Sequence, residues 1–233
     1  EDRVTTEQRK KEAQEQARDV YDFDPSLKDE LKKNLTSFFS KMQELYLPRK
    51  SAGEEMISVP EAFKKEREEE LVSELGVELS DRELGILRKF YFDQKMLNNI
   101  QKIIDEIYSK PIVYDIQILQ KAKDKGIIII NLKSGEQKPL NDYTQIKDIG
   151  QAKKELKKLI DQRFAGYPKS LKNVLNKIIS DLLRPSLTFN KQETEEIKKE
   201  KVQAVKPVYF KLKKGEVIVR KGDRITEEQW KKL

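Results

Sequence analysis

Residues 126–140 read Gly126-Ile127-Ile128-Ile129-Ile130-Asn131-Leu132-Lys133-Ser134-Gly135-Glu136-Gln137-Lys138-Pro139-Leu140. The β-branched run at 127–132 is short, which predicts a strand. Residues 133–136 supply a turn, and 137–140 can return as its partner. On both sides of this hairpin the apolar spacing is helical. The hairpin therefore makes the chain α+β, with a mostly helical body.

Working outward, Leu27, Leu31, Leu35, Phe38, Phe39, Met42 and Leu45 fall on one stripe. They predict a helix that Asp24 caps, with Pro25 at its first position, and that runs to about residue 46. Residues 48–59 read as a loop. A helix follows Pro60 and stops at Gly76. Ser80-Asp81-Arg82-Glu83 is a capping-box pattern opening another, with Leu84, Leu87, Phe90 and Tyr91 on its buried face. Residues 93–108 continue with Met96, Leu97, Ile100, Ile103, Ile104 and Ile107, and Lys110-Pro111 ends the helix. Beyond the hairpin, 148–163 and 170–183 are helical, separated by Gly166-Tyr167-Pro168 and closed by Arg184-Pro185.

The two ends are more polar. Residues 5–17 predict a polar helix that leads into Val20-Tyr21-Asp22-Phe23-Asp24-Pro25, a short strand or extended link. Asn190 caps a second polar helix, to about 205. Residues 207–212 and 217–220 then alternate as strands around Lys213-Lys214-Gly215-Glu216, and Lys221-Gly222-Asp223 turns toward an N-cap at Thr226. The ends echo each other in two registers. Residues 2–8 match 223–229. Separately, Thr6-Glu7, Lys10-Lys11-Glu12 and Val20-Tyr21 match Thr194-Glu195, Lys198-Lys199-Glu200 and Val208-Tyr209 at one constant offset. Two readings fit: Lys/Glu-rich helices look alike, or the ends build one shared subdomain. The second divides the chain into 1–25 with 184–233, a membrane-proximal α+β subdomain, and 26–183, a distal helical body with the hairpin near 127–140.

The chain has 233 residues, enough for a sizeable core in one large or two small domains. It contains no His and no Cys, which removes Ser-His-Asp and Cys-His catalysis, zinc sites built on His or Cys, and disulfides. No apolar run approaches the roughly 20 residues that span a bilayer. The chain opens on Glu1-Asp2 without Met and stops at Leu233, shortly after the Thr226 signal. Membrane segments are accordingly expected beyond both ends.

The run Leu187-Thr188-Phe189-Asn190, then Thr194, then Ala204-Val205-Lys206-Pro207-Val208-Tyr209, then residues 214–226 (KGEVIVRKGDRIT) carries a resemblance. It is similar to the extracellular domain of seven-transmembrane HD-hydrolase receptors, the PgpH-type membrane phosphodiesterases. Their pattern runs N-L-x-F-N, T, V-x-P-V, K-G-E-x-I-V-R-x-G-D-x-V-T. Ser186, where Asn is common, and Ile225 depart from it. Gly126-Ile127-Ile128, Asn141-Asp142 and Ile146-Lys147-Asp148 resemble the family's central hairpin and following helix, and Thr5 with residues 20–25 resembles its opening. The resemblance implies a bacterial inner-membrane parent. One membrane helix would precede Glu1, a bundle would follow Leu233, and a cytoplasmic HD domain would hydrolyse cyclic di-AMP with His and Asp metal ligands. Those ligands cannot lie here, so this chain is expected to be non-catalytic and without cofactor, with divalent metal confined to the HD domain.

Several residues stand out within that frame. Gly215, Glu216, Gly222 and Asp223 read as turn residues, with Pro207, Tyr209 and Thr226 as structural marks; a phosphate-cradling nest is the alternative for the glycines. Residues 191–233 hold 13 Lys+Arg against 8 Asp+Glu. Lys211, Lys213, Lys214, Arg220, Lys221 and Arg224 are candidates for a basic face near anionic headgroups, or are simply solvated. Asp22 with Asp24, Asp142 with Asp148 and Asp105 with Glu106 are the acidic pairs. They read as caps and surface charge; Asp22 and Asp24 could also take a hard cation, without a calcium-loop pattern. Tyr21, Phe23, Tyr209 and Phe210 are expected to pack the shared subdomain, and Trp230 sits either at an interface or on a helix. The expected role is an extracytoplasmic sensor or regulatory domain acting on its own parent's membrane helices in response to a ligand or protein partner of unknown identity. A static structural or homodimerisation domain is the alternative. A basic RNA-binding protein is the third reading, disfavoured because acids interleave throughout, so no nucleic acid is expected.

Overall fold

The structure, a computed structural model, describes residues 2–46, 60–90, 92–121, 125–209, 211, 215, 217–226 and 229–230. The expected loop at 48–59, Glu1, Tyr91, Phe210, Lys213, Lys214, Glu216 and Leu233 lie outside the described residues. The chain is α+β and mostly helical, as its spacing predicts.

Helices α2 (Ser26–Tyr46), α3 (Glu61–Leu75), α4 (Asp81–Arg88), α5 (Gln94–Ile107), α7 (Ile149–Arg163) and α8 (Lys169–Leu182) form the body. Helix α5 packs α2 on one side and α7 on the other; α3 leans on α2, and α8 joins α7 to α4. The shared core is built from Leu35, Phe39 and Met42 of α2, Ile100, Ile103 and Ile104 of α5, Leu156 and Ile160 of α7, and Val174 and Ile178 of α8. Burying each such side chain contributes about 1.5–3 kcal/mol, so this core dominates stability. One capping box is the one the sequence signals, and the structure adds a second at α7. Ser80 and Glu83 satisfy each other's backbone at the start of α4, and Asp148 with Gln151 does the same for α7. Gly76 closes α3 in the left-handed conformation, φ 77°. One turn the sequence does not signal is at Phe92, a non-glycine residue at φ 49°. Its ring is buried edge-on against Phe38 and Phe39, at 6.0 and 5.5 Å between centroids, and this packing holds the unfavoured backbone.

A mixed four-stranded sheet stands beside this body. Its order is β4 (Gln137–Leu140), β3 (Ile127–Asn131), β1 (Asp19–Phe23), β6 (Leu187–Phe189). Strand β3 runs parallel to β1, with Tyr21 opposite Ile129, and antiparallel to β4, with Ile129 opposite Lys138. Strand β6 runs antiparallel to β1, with Tyr21 opposite Phe189. The hairpin expected within the helical body is thus bonded to β1, from near the start of the chain, and β6, from near its end, closes the other edge of β1. The reason is that β3, rich in Ile, needs a partner on its second edge, and β1 supplies it. Tyr21, Ile127, Leu187, Tyr143, Ile146, Leu119 and Val113 form a second, smaller core under the sheet.

The two cores meet at a pair of consecutive residues. Strand β2 (Ile112–Val113) pairs in parallel with β5 (Lys147–Asp148). Side chains alternate along a strand, so Ile112 enters the helical core and Val113 enters the sheet core. Ser186 fastens the seam: its Oγ accepts from the Ile112 N–H at 3.0 Å, and its carbonyl accepts from the Asp24 N–H at 2.9 Å. This gives a role to the position where the sequence departs from the family pattern.

Helices α1 (Arg3–Glu15) and α9 (Lys191–Gln203) pack on each other beside β1. The strands expected at 207–212 and 217–220 are absent among the described residues. Alternation reports a half-buried face, but a strand also needs a neighbouring strand to bond, and among the described residues Val208 bonds instead to the start of α1.

Two stability measurements check this account. The Gly126 backbone has φ 71°, and a Cβ there would stand 2.2 Å from Asn141 Oδ1 and 2.9 Å from the Leu140 carbonyl oxygen. Gly126→Ala should cost more than about 2 kcal/mol in urea unfolding, whereas Gly76→Ala, with open space around it, should cost about 1. The second concerns Glu68, 2% exposed on α3, with Arg88 Nε at 3.2 Å and the Arg88 guanidinium over the Tyr46 ring. Burial pushes the Glu68 carboxyl above the usual glutamate range, and Arg88 only partly pulls it back. A raised folded-state value means the cost of ionising Glu68 is absent below the unfolded value and grows as pH rises through the folded one. Relative to the unmodified chain, Glu68→Gln should therefore gain stability between pH 4 and pH 7, read as a rising difference in urea midpoint.

Candidate functional site

Two places in the fold bring polar residues together in a way that no helix or strand requires. The first joins the ends of the chain. Asp2 caps α1, its Oδ1 accepting from the Thr5 N–H at 3.1 Å. Asn190 caps α9, its Oδ1 accepting from the Glu193 N–H at 3.0 Å. Four residues on, Thr6 and Thr194 are 2% and 0% exposed. Each hydroxyl donates to the carbonyl of its own cap residue, Asp2 or Asn190, at 2.7 Å.

The hydroxyls then cross over. Thr194 Oγ1 accepts from the Val20 N–H at 2.9 Å, and Thr6 Oγ1 accepts from the Val208 N–H at 3.0 Å. The cap residues cross in the same sense: the Asn190 N–H donates to the Val20 carbonyl at 2.8 Å, and the Asp2 N–H donates to the Val208 carbonyl at 2.7 Å. The first unit's helix holds the second unit's Val, and the reverse. This is the register that matches Thr6 to Thr194 and Val20 to Val208, so the echo is a structural repeat with exchanged partners. The other register sets Thr5, inside α1, against Thr226, which behaves as a cap, and has no common structural role.

The second place is a polar cleft of about 880 Å³ over the seam between the two cores. Ser109 and Lys110 line it from the end of α5, Ile116 and Gln120 from α6 (Ile116–Lys121), residues 141–144 and 146–147 from the segment after β4, and Gln151 and Glu155 from α7. Lys147 is 7% exposed and pairs with Glu155 at 2.6 Å. Lys110 Nζ reaches the Thr144 carbonyl at 3.3 Å and is otherwise exposed. The Thr144 N–H and hydroxyl donate to Asp142, holding its carboxyl below the usual aspartate range. Burial, then the charge of Asp19, pushes the Tyr143 phenol up. Such a lining can bind a polar solute by hydrogen bonds and two opposite charges. Among the described residues no group of three acidic side chains could hold a metal ion.

Of the residues singled out in the sequence, Asp142 lines this cleft and Asp148 caps α7 beside it; the turn, structural and basic candidates lie elsewhere. Gly215 and Gly222 have φ 90° and 102°, as turn glycines do, and the Asp223 N–H donates to the Arg220 carbonyl. Thr226 Oγ1 accepts from the Gln229 N–H at 3.3 Å while Gln229 returns a bond to the Thr226 N–H. Pro207 and Tyr209 flank Val208 in the crossed arrangement and are exposed, Tyr209 at 68%. Lys211, Arg220, Lys221 and Arg224 are exposed and form no salt bridge among the described residues. Glu216, Lys213 and Lys214 lie outside those residues. Asp22 accepts from the Asn190 side-chain amide at 3.0 Å, and Asp24 from the Ser26 N–H and hydroxyl, so both carboxylates of that pair serve the fold. Sequence reasoning did not find the cleft. Its lining is drawn from four segments between 109 and 155, and only the Asn141-Asp142 and Ile146-Lys147-Asp148 motifs signalled that region.

A family model described as the 7TM-HD extracellular domain matches residues 1–233, the whole chain. The chain belongs to that family. Membership puts it on the outer side of the membrane, as part of a membrane protein with an HD domain elsewhere in the parent. No curated protein and no solved structure matches it. No helix among the described residues is long and apolar enough to cross a membrane.

The crossed threonines set a stability order. Thr194→Val strands the buried Val20 N–H, while the Asn190 carbonyl keeps its bond from the Thr194 N–H, and should cost about 2 kcal/mol in urea unfolding. Thr6→Val should cost less, because Val208 is only half-buried and its freed N–H can reach water. Serine at either position keeps the hydroxyl and should recover most of the loss.

Proposed function

We propose that this chain is the extracytoplasmic sensor of a bacterial membrane-bound HD phosphodiesterase, and that it regulates cyclic di-AMP hydrolysis carried out by the parent's cytoplasmic HD domain. The chain itself is a regulatory module and not a catalyst. One observation carries the reading: the crossed repeat bonds Asp2 and Thr6 to Val208, so the segments that lead toward the two ends of the chain start side by side. A module hung from membrane helices by both ends needs that arrangement, because only then do the helices leave it side by side.

The polar cleft is the input in this reading. It lies where the helical core and the sheet core meet, so a solute bound there touches both bodies and can favour one relative placement. A ligand shifts such an equilibrium only by its difference in affinity for the two states. The lining suits a small, hydrogen-bonding solute carrying both an acceptor for Lys110 and a donor for Asp142 or Glu155. The exposed cations Lys211, Arg220, Lys221 and Arg224 suit a face turned toward anionic headgroups, each adding about 1 kcal/mol of attraction where it nears the surface. The membrane helices of the parent are the direct partners. The divalent metal belongs to the HD domain.

The test is thermal shift of this chain against amino acids, sugars and soluble peptidoglycan fragments. At a hundred times its dissociation constant a binder should raise Tm by roughly 5–10 °C, and Lys110→Ala should abolish the shift. A flat screen, together with a stable dimer by light scattering, would replace the sensor with a static pairing domain.

A further inference from the structure

The crossed repeat is symmetric in its hydrogen bonds and asymmetric in its surroundings. Val20 and Val208 are bonded alike: each gives its N–H to a buried threonine hydroxyl and its carbonyl to the N–H of a helix cap. Val20 is fully buried in β1, which has β3 on one edge and β6 on the other. The Phe23 carbonyl also accepts from the Leu132 N–H, and Asp22 is tied to Asn190. Val208 is half-buried. Among the described residues, 207–209 make no hydrogen bond besides the two at Val208, and Pro207 has no N–H to offer. The neighbouring tyrosines show the same difference: Tyr21 is 6% exposed and Tyr209 is 68% exposed. Tyr21 also packs edge-on against Phe189 at 5.6 Å, in the second core's sheet.

We infer that the repeat is a one-sided latch: residues 207–209 are a strap that releases from the N-terminus of α1 while the equivalent grip of α9 on β1 stays shut. Among the described residues, releasing the strap breaks the two hydrogen bonds at Val208 and uncovers little apolar surface. Opening the other half would break the same two bonds, strip β1 of ladder bonds on both edges and expose Val20 and Tyr21. Local openings follow the bonds and apolar contacts they must break, so the strap is the weaker half. Its release frees the segment leading to the C-terminal end from the segment leading to the N-terminal end and leaves both cores intact. The functional meaning of that release rests on the sensor reading above: it would be the point at which the two membrane attachments uncouple. The latch itself is a property of this chain alone.

Amide hydrogen exchange on the chain, resolved to Val20 and Val208, tests it. After correction for intrinsic rates, Val208 should exchange at least roughly tenfold faster than Val20, the ratio expected if even one further hydrogen bond separates the two openings. Thr6→Val should accelerate Val208 again and leave Val20 unchanged, and Thr6→Ser should restore the original rate. Equal protection at the two valines, or a Thr6→Val variant that releases both together, overturns the latch. Thr6→Ser answers the case in which Thr6→Val does not fold, since its Val208-to-Val20 ratio alone decides. In the full-length membrane protein, Thr6→Val that speeds Val208 exchange without altering cyclic di-AMP hydrolysis supports the latch and sinks the sensor reading, so the two can fail separately.

Discussion

Two threonine hydroxyls join the segments near this chain's ends, and one of them, Thr194, holds a strand of the sheet. Each is buried, and each both donates and accepts, so neither leaves a polar atom unsatisfied. The groups they join are 174 and 202 residues apart in sequence. Closing loops of that length is costly at the first contact and cheap for each added residue. Once α9 grips Val20, the second crossing closes over a much shorter distance. Strand β1 can then lie between β3, from the middle of the chain, and β6, from near its end. The grip of α9 adds to what its ladders and the burial of Val20 and Tyr21 already give β1 in that slot.

The seam between the two cores is equally economical. One two-residue strand, β2, sends Ile112 to the helices and Val113 to the sheet, and Ser186 bonds both β2 and the residue that follows β1. The cleft lies over this seam because β2 and β5 are short. Past Val113 and Asp148 no ladder continues, and the chain turns away in α6 and α7, leaving a polar hollow lined by their flanks. A buried lysine paired to a glutamate is costly to desolvate and leaves the net stability nearly unchanged. Lys147 is therefore better understood by where it stands, at the floor between two packed bodies, than by what it contributes to folding.

How much of this was legible in the sequence follows from the range of each interaction. Helices α2, α5 and α8 were readable because their apolar stripes repeat within one window, and the start of α4 because a cap and its partner are three residues apart. The 3–4 hairpin was readable from its turn. The pairing of β3 with β1 was not, since nothing local in Ile127–Asn131 names a partner more than a hundred residues away. Strands β2 and β5 are too short for any period to show. Phe92 is a left-handed residue only because Phe38 and Phe39 stand where they do. The repeat was visible as matching letters, and its crossing was not. Letter matches report that two segments are alike, and which of them grips the other is decided by tertiary packing. The same limit produced the two C-terminal strands that the described residues do not contain.

The cleft and the ends of the chain are joined by a short run of bonds. Strand β5 pairs with β2, the Ile112 N–H donates to Ser186, the Ser186 carbonyl accepts from Asp24, and Asp24 follows directly on β1, whose Val20 is in the grip of α9. Contiguity of this kind carries no coupling by itself; two sites are coupled only when both bias an element with two arrangements. Among the described residues the helical body offers no such element, because its core is continuous. The sheet offers none while β1 is bonded on both edges. Of the two halves of the repeat, the strap beside α1 has the fewer bonds to break among the described residues, so a bias arriving through Ser186 and β1 would find its outlet there. On that account β1 is the fixed member of the pair and Val208 the moving one. The asymmetry of the repeat, more than its symmetry, then gives the module a direction.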